Sequence, residues 1–466
     1  MSALMVQGAS SSAGKSLLTT ALARAFVRRG IDVVPFKAQN MSNNARVVAG
    51  GEIGVAQYLQ ALAARVEPDV RMNPVLVKPE GDDRSQVVVL GRADLELSRR
   101  PWRARHAALW PVIESALADL LAEHEFVLLE GAGSPAEINL RDTDLANMRS
   151  AKAAGAPVVL VADIDRGGAF AHLYGTWALL PEDERELVCG FVLNKFRGDA
   201  SLLPPAPAML EGLTGVPTLG VLPWLEHGLP DEDGAAAPSR SGARPVVAVV
   251  RYPFASNLDE FKLLEQVADV RWAAHPADLD GADLVVLPGS KHVAADLAWL
   301  RRTSLDAAVS AYRGRVLGIC GGLQMLGRRV EDAAGVDGSA DGLGLLAVAT
   351  IFVAGKTIRP ATARFVELPE PWATLGGREL RGYEIRHGET SPEPGAREAL
   401  GGRLGFVAGN VLGLSVHGLF EDADLVAALL GVRPTRSLDD VFDALADAVE
   451  EHLDLARLLE LAAVAA

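Results

Sequence analysis

Short apolar runs alternate with amphipathic stretches along the first half of the chain. Residues 15–29 and 110–123, for example, have the periodicity of amphipathic helices. Short apolar runs between such helices are typical of strands buried on both faces of a mainly parallel sheet. We therefore expect an α/β domain whose central strands include residues 4–7, 33–36, 126–129, 158–161, 190–193 and 218–222.

The alternation is interrupted by a segment of small and polar residues that includes proline. This composition is typical of an exposed linker between domains. Beyond it, apolar runs at 246–251, 284–287 and 316–319 open a second α/β unit. The predicted organisation is a first domain at 1–232, a linker at 233–244, a second domain at 245–436 and a helical segment at 437–466.

The helical segment at the end of the chain is predicted from its apolar periodicity. Acidic residues cluster in its first turns, where the helix dipole favours negative charge. One apolar face indicates that the helix packs against the body of the protein. The residues that form this face include Leu438, Val441, Phe442, Leu445 and Val449.

Composition limits the classes of function that the chain can have. It has 466 residues, 49% of them hydrophobic and 23% charged, with a formal net charge of −15. This length exceeds what one hydrophobic core usually serves, so two domains with separate active sites can be accommodated. The negative charge opposes general binding to nucleic acids or anionic membranes. No apolar stretch is long enough to cross a bilayer and no secretion signal is recognisable, which favours the cytoplasm.

One of the two cysteines, Cys320, lies between a short apolar run and a predicted helix. Glycines two positions before and after it fit the G-x-nucleophile-x-G elbow, a tight turn that exposes a nucleophile. The backbone N–H of Gly321 would then stabilise an oxyanion, and His417 is a candidate base for the thiolate. A buried structural cysteine is the alternative, and we expect Cys189 to be of that kind. Two cysteines argue against a disulfide framework or a zinc cluster.

A second candidate site is the glycine- and serine-rich loop between the first predicted strand and helix. The loop begins at Gly8 and ends in Gly14, Lys15 and Ser16. Such loops bind phosphates through backbone N–H groups, while the lysine neutralises the β and γ oxygens and the serine hydroxyl binds Mg²⁺. Five residues rather than four separate the two glycines, a spacing similar to that of the dethiobiotin synthetase-like ATPases. We expect an ATP site; a loop that merely caps the helix is the alternative.

Two further residues fit a nucleotide-binding domain. Glu130 follows a predicted strand, at the carboxyl edge where ligands of open α/β sheets bind, and is a candidate Mg²⁺ ligand with Ser16. Asn194 follows another strand and resembles the asparagine that reads adenine in such folds. The alternatives are that Glu130 caps a loop and that Asn194 terminates a strand.

The second half resembles the class I glutamine amidotransferases, which hydrolyse glutamine through a cysteine thioester. In that class a glutamate usually lies two residues beyond the histidine, but here the position is Leu419, and Glu421 is out of phase. The sequence resembles the branch that lacks the acid, in which Cys320 and His417 act as a dyad. The segment before residue 291 matches the loop of the second oxyanion donor, so Gly289 and Gly321 are the expected donors.

Longer matches resemble the cobyric acid synthase family over nearly the whole chain. The ungapped signatures are at residues 36–44, 51–54, 72–79, 130–140, 162–168 and 194–199. The resemblance implies an α/β fold in which a dethiobiotin synthetase-like P-loop domain with a parallel sheet precedes a class I glutamine amidotransferase-like domain. Two departures are Ser12, where the family commonly has aspartate, and a leucine–serine pair before Val416 and His417 in place of threonine–tyrosine.

The resemblance also implies a reaction. The family uses ATP, Mg²⁺ and L-glutamine to amidate the b, d, e and g carboxylates of adenosylcobyrinic acid a,c-diamide, giving adenosylcobyric acid for cobalamin. We expect acyl phosphate intermediates, a corrinoid partner, no nucleic-acid or membrane partner, and a possible homo-oligomer. Polar candidates for corrin contacts are Asn40, Asn43, Asn44, Lys78, Arg84 and Arg141.

Two alternative functions remain open. The related a,c-diamide synthases share both domains but amidate two earlier carboxylates; residues 37–40, Lys-Ala-Gln-Asn, differ from the Lys-x-Gly-Pro-Asp of that branch. A P-loop regulatory protein with an inactive amidotransferase domain is the second alternative. Intact Cys320 and His417 argue against it, and failure to release glutamate from glutamine would support it.

Overall fold

The computed structural model describes residues 2–80, 84–229 and 244–464. Most of the predicted linker, residues 233–243, lies outside the described residues. The first-domain strands are β1 (Ser2–Gly8), β2 (Val33–Phe36), β3 (Gln39–Met41), β4 (Ala45–Val48), β5 (Gly51–Gly54), β6 (Val75–Pro79), β7 (Ser85–Val89), β8 (Arg92–Asp94), β9 (Phe126–Glu130), β10 (Val158–Asp163), β11 (Val188–Phe196) and β12 (Thr218–Pro223). The helices are α1 (Lys15–Arg28), α2 (Val55–Ala63), α3 (Leu95–Arg99), α4 (Trp102–Glu123), α5 (Met148–Ala154), α6 (Ala169–Leu179), α7 (Glu182–Arg185) and α8 (Ala206–Thr214).

A six-stranded parallel sheet forms the centre of the first domain, in the order β12-β11-β10-β1-β9-β2. Its strands are those predicted from the apolar runs, and its central strands are buried along almost their whole length. Helices cover both faces, because each face of a parallel sheet must be shielded from water. The predicted parallel α/β architecture is confirmed.

A small antiparallel hairpin, which the apolar pattern did not predict, projects from this domain. It consists of β4 and β5, paired from Ala45 with Gly54 to Val48 with Gly51. A second small sheet, in the order β3-β6-β7-β8, lies beside it. The two sheets touch closely, since a Cβ on Gly51 would lie 2.2 Å from the carbonyl oxygen of Gly91. The hairpin also contacts the second domain, as described below.

The second domain has seven of its strands in one main sheet. Its strands are β13 (Val246–Val250), β14 (Ala255–Ser256), β15 (Asp269–Ala273), β16 (Leu284–Leu287), β17 (Gly289–Ser290), β18 (Arg315–Ile319), β19 (Arg329–Glu331), β20 (Ala340–Asp341), β21 (Val348–Ile351), β22 (Thr357–Arg364), β23 (Glu379–Arg386), β24 (Glu389–Pro392), β25 (Glu398–Leu400), β26 (Gly405–Ala408) and β27 (Val411–Leu414). Its helices are α9 (Val293–Arg302), α10 (Leu305–Ala311), α11 (Gly321–Leu326) and α12 (Ala423–Leu430). The main sheet has the order β15-β13-β16-β18-β27-β26-β25 and is parallel from β15 to β27. The predicted strands β13, β16 and β18 are central and adjacent.

The C-terminal segment packs on the first domain rather than on the second. Helices α13 (Leu438–His452) and α14 (Leu455–Val464) follow a capping box formed by Ser437 and Asp440. Phe442 of α13 is buried in one core with Phe26 of α1. The buried Arg24 of α1 adds an ion pair to Asp443, with 2.8 Å between Nε and Oδ1. The core of the first domain therefore contains residues from both ends of the sequence.

Candidate active sites

The loop between β1 and α1 is held in an unusual conformation. Ser12 and Gly14 have φ angles of 58° and 98°, and Gly14 immediately precedes the helix. A Cβ on Gly14 would lie 2.0 Å from Nδ2 of Asn194, so the loop requires glycine there for space as well as for its backbone angle. The loop thus presents its backbone at a helix N-terminus, as phosphate binding requires.

The structure brings together three of the predicted nucleotide-site residues. The Ser16 hydroxyl donates to Oε1 of Glu130 at 2.7 Å, and Nζ of Lys15 donates to the carbonyl of Gly133 at 3.0 Å. Glu130 is buried at the end of β9, where it also accepts from Nζ of Lys37 at 2.9 Å. A hydroxyl and a carboxylate that meet beside a phosphate loop are oxygen donors of the kind that Mg²⁺ prefers.

Asn194 lies at the other side of the loop. Its amide donates to the carbonyl of Ala13 at 3.0 Å, so in this conformation it braces the loop. The neighbouring Lys195 binds the Ser12 carbonyl and Oδ2 of Asp163, both at 2.9 Å. Asp163 is buried at the end of β10, and its proximity to the loop was not anticipated from the sequence.

Cys320 occupies the turn between β18 and α11. It has φ 53° and ψ −105°, a strained conformation for a residue with a side chain. The flanking glycines are required because backbones approach closely: a Cβ on Gly318 would lie 2.6 Å from the carbonyl carbon of Gly322. A Cβ on Gly322 would lie 2.0 Å from the carbonyl oxygen of Leu287. The turn has the geometry expected of a nucleophile elbow.

His417 follows β27, beside Cys320. Its backbone pairs with that of Tyr383, with N-to-O distances of 2.9 and 3.2 Å, and the two rings are stacked with centroids 5.2 Å apart. Cys320 is among the groups that raise the pKa of the imidazole, so its side chain lies near the ring. The structure therefore brings the two predicted catalytic residues close together.

From the sequence we expected this pair to act without an acid, but the structure places a buried carboxylate beside the histidine. Leu419 does occupy the usual acid position, but Oε1 of Glu260 lies 3.0 Å from Nδ1 of His417. The other oxygen of Glu260 accepts from the backbone N–H of Gly418 at 3.1 Å. Glu260 belongs to the 3₁₀ segment Leu258–Gln266, 157 positions away from the histidine. No local pattern could have revealed this contact, because only the fold joins the two segments.

Glu260 changes the protonation of the histidine. Burial lowers the pKa of His417, but the negative charges of Glu260 and Cys320 outweigh burial and raise it from 6.5 to about 10. The imidazole is therefore positively charged at neutral pH. An imidazolium beside a cysteine stabilises the thiolate, which is the nucleophilic form.

The two predicted oxyanion donors lie in neighbouring turns. Gly289 pairs with Ser256 in the short β14–β17 ladder, and a Cβ on it would lie 3.0 Å from Cε1 of His417. A Cβ on Gly321 would lie 2.6 Å from the backbone nitrogen of Ser290. Gly289 is thus packed against His417, and Gly321, which follows Cys320, is packed against the residue after Gly289.

A pocket above Cys320 is lined by both domains. The first domain contributes Asn43 and Lys78, and the second contributes Ser256, Asn257, Ser290, Lys291, Val293, Cys320, Gln324, Val336, Asp337, Phe352, Lys356, Ile385, Arg386 and His387. One wall carries basic side chains, among them Lys291, Lys356 and Arg386. Burial and the charge of Lys356 lower the pKa of Lys291 to about 8. Glu52 of β5 pairs with Lys78 of its own domain at 2.5 Å and with Lys356 across the domain boundary at 2.6 Å.

The polar residues considered for the corrinoid are separated by the fold. Asn43 and Lys78 line this pocket. Asn40 is buried and donates to Gln57 at 3.1 Å, while Asn44 accepts from the backbone N–H of Leu258 at 3.2 Å. Arg84 is exposed, and Arg141 donates to the carbonyl of Leu179 at 2.6 Å. The structure therefore does not gather these six residues into one site.

Comparisons with known proteins agree with this architecture. Residues 4–230 match the family described as the CobQ/CobB/MinD/ParA nucleotide binding domain, and residues 246–425 match the CobB/CobQ-like glutamine amidotransferase domain. In the part of the chain that the structure describes, no helix is long and apolar enough to cross a membrane.

Full-length relatives have similar lengths. The cobyric acid synthase of Polaromonas sp. (strain JS666) is 56% identical over 97% of this chain and 96% of its own. Those of Polaromonas naphthalenivorans (strain CJ2) and Paracidovorax citrulli (strain AAC00-1) are 54% and 58% identical, over 97% of both chains in each case. The chain belongs to the cobyric acid synthase family and is a glutamine-dependent amide-forming ligase.

Proposed function

We propose that this chain amidates the b, d, e and g carboxylates of adenosylcobyrinic acid a,c-diamide to give adenosylcobyric acid. In this proposal ATP activates each carboxylate and glutamine supplies each nitrogen. The observation that carries the proposal is the pocket above Cys320, because it is lined by residues of both domains. Nitrogen released at the cysteine would enter a space that borders the ATP-dependent domain.

The glutaminase half would use Cys320, His417 and Glu260. The thiolate attacks the carboxamide carbon of glutamine, and the backbone N–H groups of Gly289 and Gly321 stabilise the oxyanion. When the carbon–nitrogen bond breaks, His417 donates a proton to the leaving nitrogen, which departs as ammonia. Water then hydrolyses the thioester to glutamate. The pocket wall with basic side chains is suited to the α-carboxylate of glutamine.

The synthetase half would use the loop before α1. A substrate carboxylate oxygen attacks the γ-phosphorus of ATP, ADP leaves, and the acyl phosphate forms; ammonia then displaces phosphate to give the amide. Lys15 and the loop N–H groups stabilise the phosphate charges. Ser16 and Glu130 would hold Mg²⁺, which when bound neutralises phosphate charge. Asn194, which lies against the loop, would contact the adenine after a change of side-chain conformation.

The test distinguishes the two sites by supplying nitrogen either as glutamine or as ammonium. Wild type, Cys320→Ala and Lys15→Ala are each supplied with adenosylcobyrinic acid a,c-diamide, ATP and either glutamine or concentrated ammonium at mildly alkaline pH. We expect Cys320→Ala to lose amidation from glutamine and keep amidation from ammonium. Lys15→Ala should lose both, because no electrophile forms without phosphoryl transfer.

The control for this experiment is a variant of a surface lysine far from the loop in sequence. Lys152→Ala removes a surface lysine that pairs with Asp183 and Glu184, and it should behave as wild type. If wild type amidates nothing from either source, the substrate is wrong. Normal amidation by Lys15→Ala would show that the loop is not the site of phosphoryl transfer.

A further inference from the structure

Arg46 of the β4–β5 hairpin reaches out of the first domain and is buried in the second. Its Nη1 donates to the hydroxyl of Tyr383 at 2.6 Å, and its Nη2 binds Oε1 of Glu421 at 2.7 Å. The same guanidinium forms an ion pair with Asp259. All of these partners belong to the second domain, so one side chain of the synthetase half joins three side chains of the other half.

Two of these partners, Tyr383 and Asp259, are one step from the predicted catalytic histidine. Tyr383 stacks on the His417 ring and pairs with its backbone. Asp259 immediately precedes Glu260, which binds the imidazole. Asn257, at the start of the same segment, donates to the carbonyl of Ala45 at 3.2 Å and to the Tyr383 hydroxyl at 2.9 Å. The hairpin therefore contacts both supports of the histidine.

The contact places Arg46 beside a buried carboxylate that needs charge compensation. In the described part of the chain the buried Asp259 carboxylate has no hydrogen-bond partner, so the charge of Arg46 is its compensation. Burial raises the pKa of Asp259 and of Glu421, and Arg46 opposes the rise in both cases. Without the guanidinium, the buried Asp259 carboxylate and the partly exposed Glu421 would lie near Glu260 uncompensated. For the buried carboxylate this is costly unless it becomes protonated or moves.

We propose that Arg46 is a positioning residue of the glutaminase centre, supplied by the synthetase domain. It holds Tyr383 and the segment that carries Glu260, and through them keeps His417 aligned with Cys320. Glutamine hydrolysis then depends on the docking of the β4–β5 hairpin. This inference rests on the proposed function, in which Cys320 cleaves glutamine.

The test compares Arg46→Met, which keeps a long stem without charge, with Arg46→Lys and Arg28→Met. Arg28 also binds two carboxylates, at 2.7 and 3.7 Å, but it lies on the surface of the first domain. Glutamate release is measured for kcat, KM and pH dependence, and ammonium-driven amidation is measured in parallel. These readouts separate positioning of the histidine from a general loss of folded protein.

We expect Arg46→Met to lower kcat for glutamate release about 10- to 100-fold, with KM for glutamine changed by less than about twofold, because the catalytic pair is misaligned. Its ammonium-driven amidation should remain close to that of wild type. Arg46→Lys retains one charge and should recover part of the lost rate. Arg28→Met should match wild type in every assay.

Three results would contradict the inference in different ways. An unchanged rate of glutamate release in Arg46→Met would overturn the positioning role alone. Equal losses with glutamine and ammonium would also overturn it, since they would reflect damage to the whole fold. A wild-type protein that releases no glutamate would overturn the proposed function and, with it, this inference.

Discussion

The pKa of His417 is raised chiefly by one carboxylate that is remote in sequence. Because Glu260 lies against Nδ1, the imidazolium form persists at neutral pH in a buried site. The sequence could predict Cys320 and His417, since glycine spacing and family motifs mark both. It could not predict Glu260, since neither the motif nor the spacing around residue 260 distinguishes it from other acids.

We predict that Glu260→Gln impairs glutamine hydrolysis without affecting the synthetase half. Loss of the carboxylate charge should lower the pKa of His417, so less imidazolium and less thiolate are present at neutral pH. We expect kcat for glutamate release to fall about 100-fold, the lower end of the range typical of losing general acid–base catalysis. Ammonium-driven amidation should be retained.

The change in the pKa of His417 should shift the pH dependence of glutamate release in a definite direction. In wild type the pKa of His417 is raised, so the stabilisation from its protonated ring is fully present below pH 6.5 and is lost as pH rises through about 10. In Glu260→Gln the loss should begin at a lower pH, which moves the alkaline limb of glutamate release downwards. Glu265→Gln, on the same segment, is the matched control. An alkaline limb at the same pH in Glu260→Gln would contradict the role of the carboxylate.

At the scale of elements, the turn at Cys320 depends on the absence of side chains. Gly322→Ala would force a Cβ against the Leu287 carbonyl, so we predict a loss of about 1–3 kcal/mol in the free energy of unfolding. Gly175→Ala is the comparison, because no heavy atom lies within 4 Å of a Cβ there and the residue is inside α6.

Urea unfolding followed by circular dichroism distinguishes the two glycine variants. Gly175→Ala should gain about 0.5–1 kcal/mol, since alanine loses less conformational entropy in a helix than glycine. The prediction fails if Gly322→Ala is as stable as wild type.

Elements differ in how well the sequence predicted them. The central strands were predictable because burial on both faces demands continuous apolar runs. The β4–β5 hairpin was not, because its buried positions include the charged residues Arg46 and Glu52. Arg46 pairs with Asp259 of the second domain, and Glu52 pairs with Lys356 of the second domain as well as with Lys78 of its own. A short strand with charged residues at its buried positions has no continuous apolar run, so the hydrophobic pattern does not predict it.

At the scale of the whole molecule, α13 joins the end of the chain to the first domain. We predict that Phe442→Ala lowers the free energy of unfolding by about 3–5 kcal/mol, because a buried aromatic side chain leaves a cavity. Leu438→Ala, in the same helix but exposed, should change stability by no more than about 0.5 kcal/mol. Thermal or urea unfolding measures both, and equal effects would show that α13 does not contribute to the core.

The return of the chain to its first domain has a consequence for biosynthesis. Domains generally fold as they emerge from the ribosome, beginning at the N-terminus. Here the amidotransferase domain can complete its own sheet as soon as β27 has been translated, whereas the nucleotide-binding domain must wait for α13 and α14. Until α13 and α14 have been synthesised, they cannot cover the apolar surface around Phe26. The nucleotide-binding half is thus completed last, after the glutamine amidotransferase half is already built.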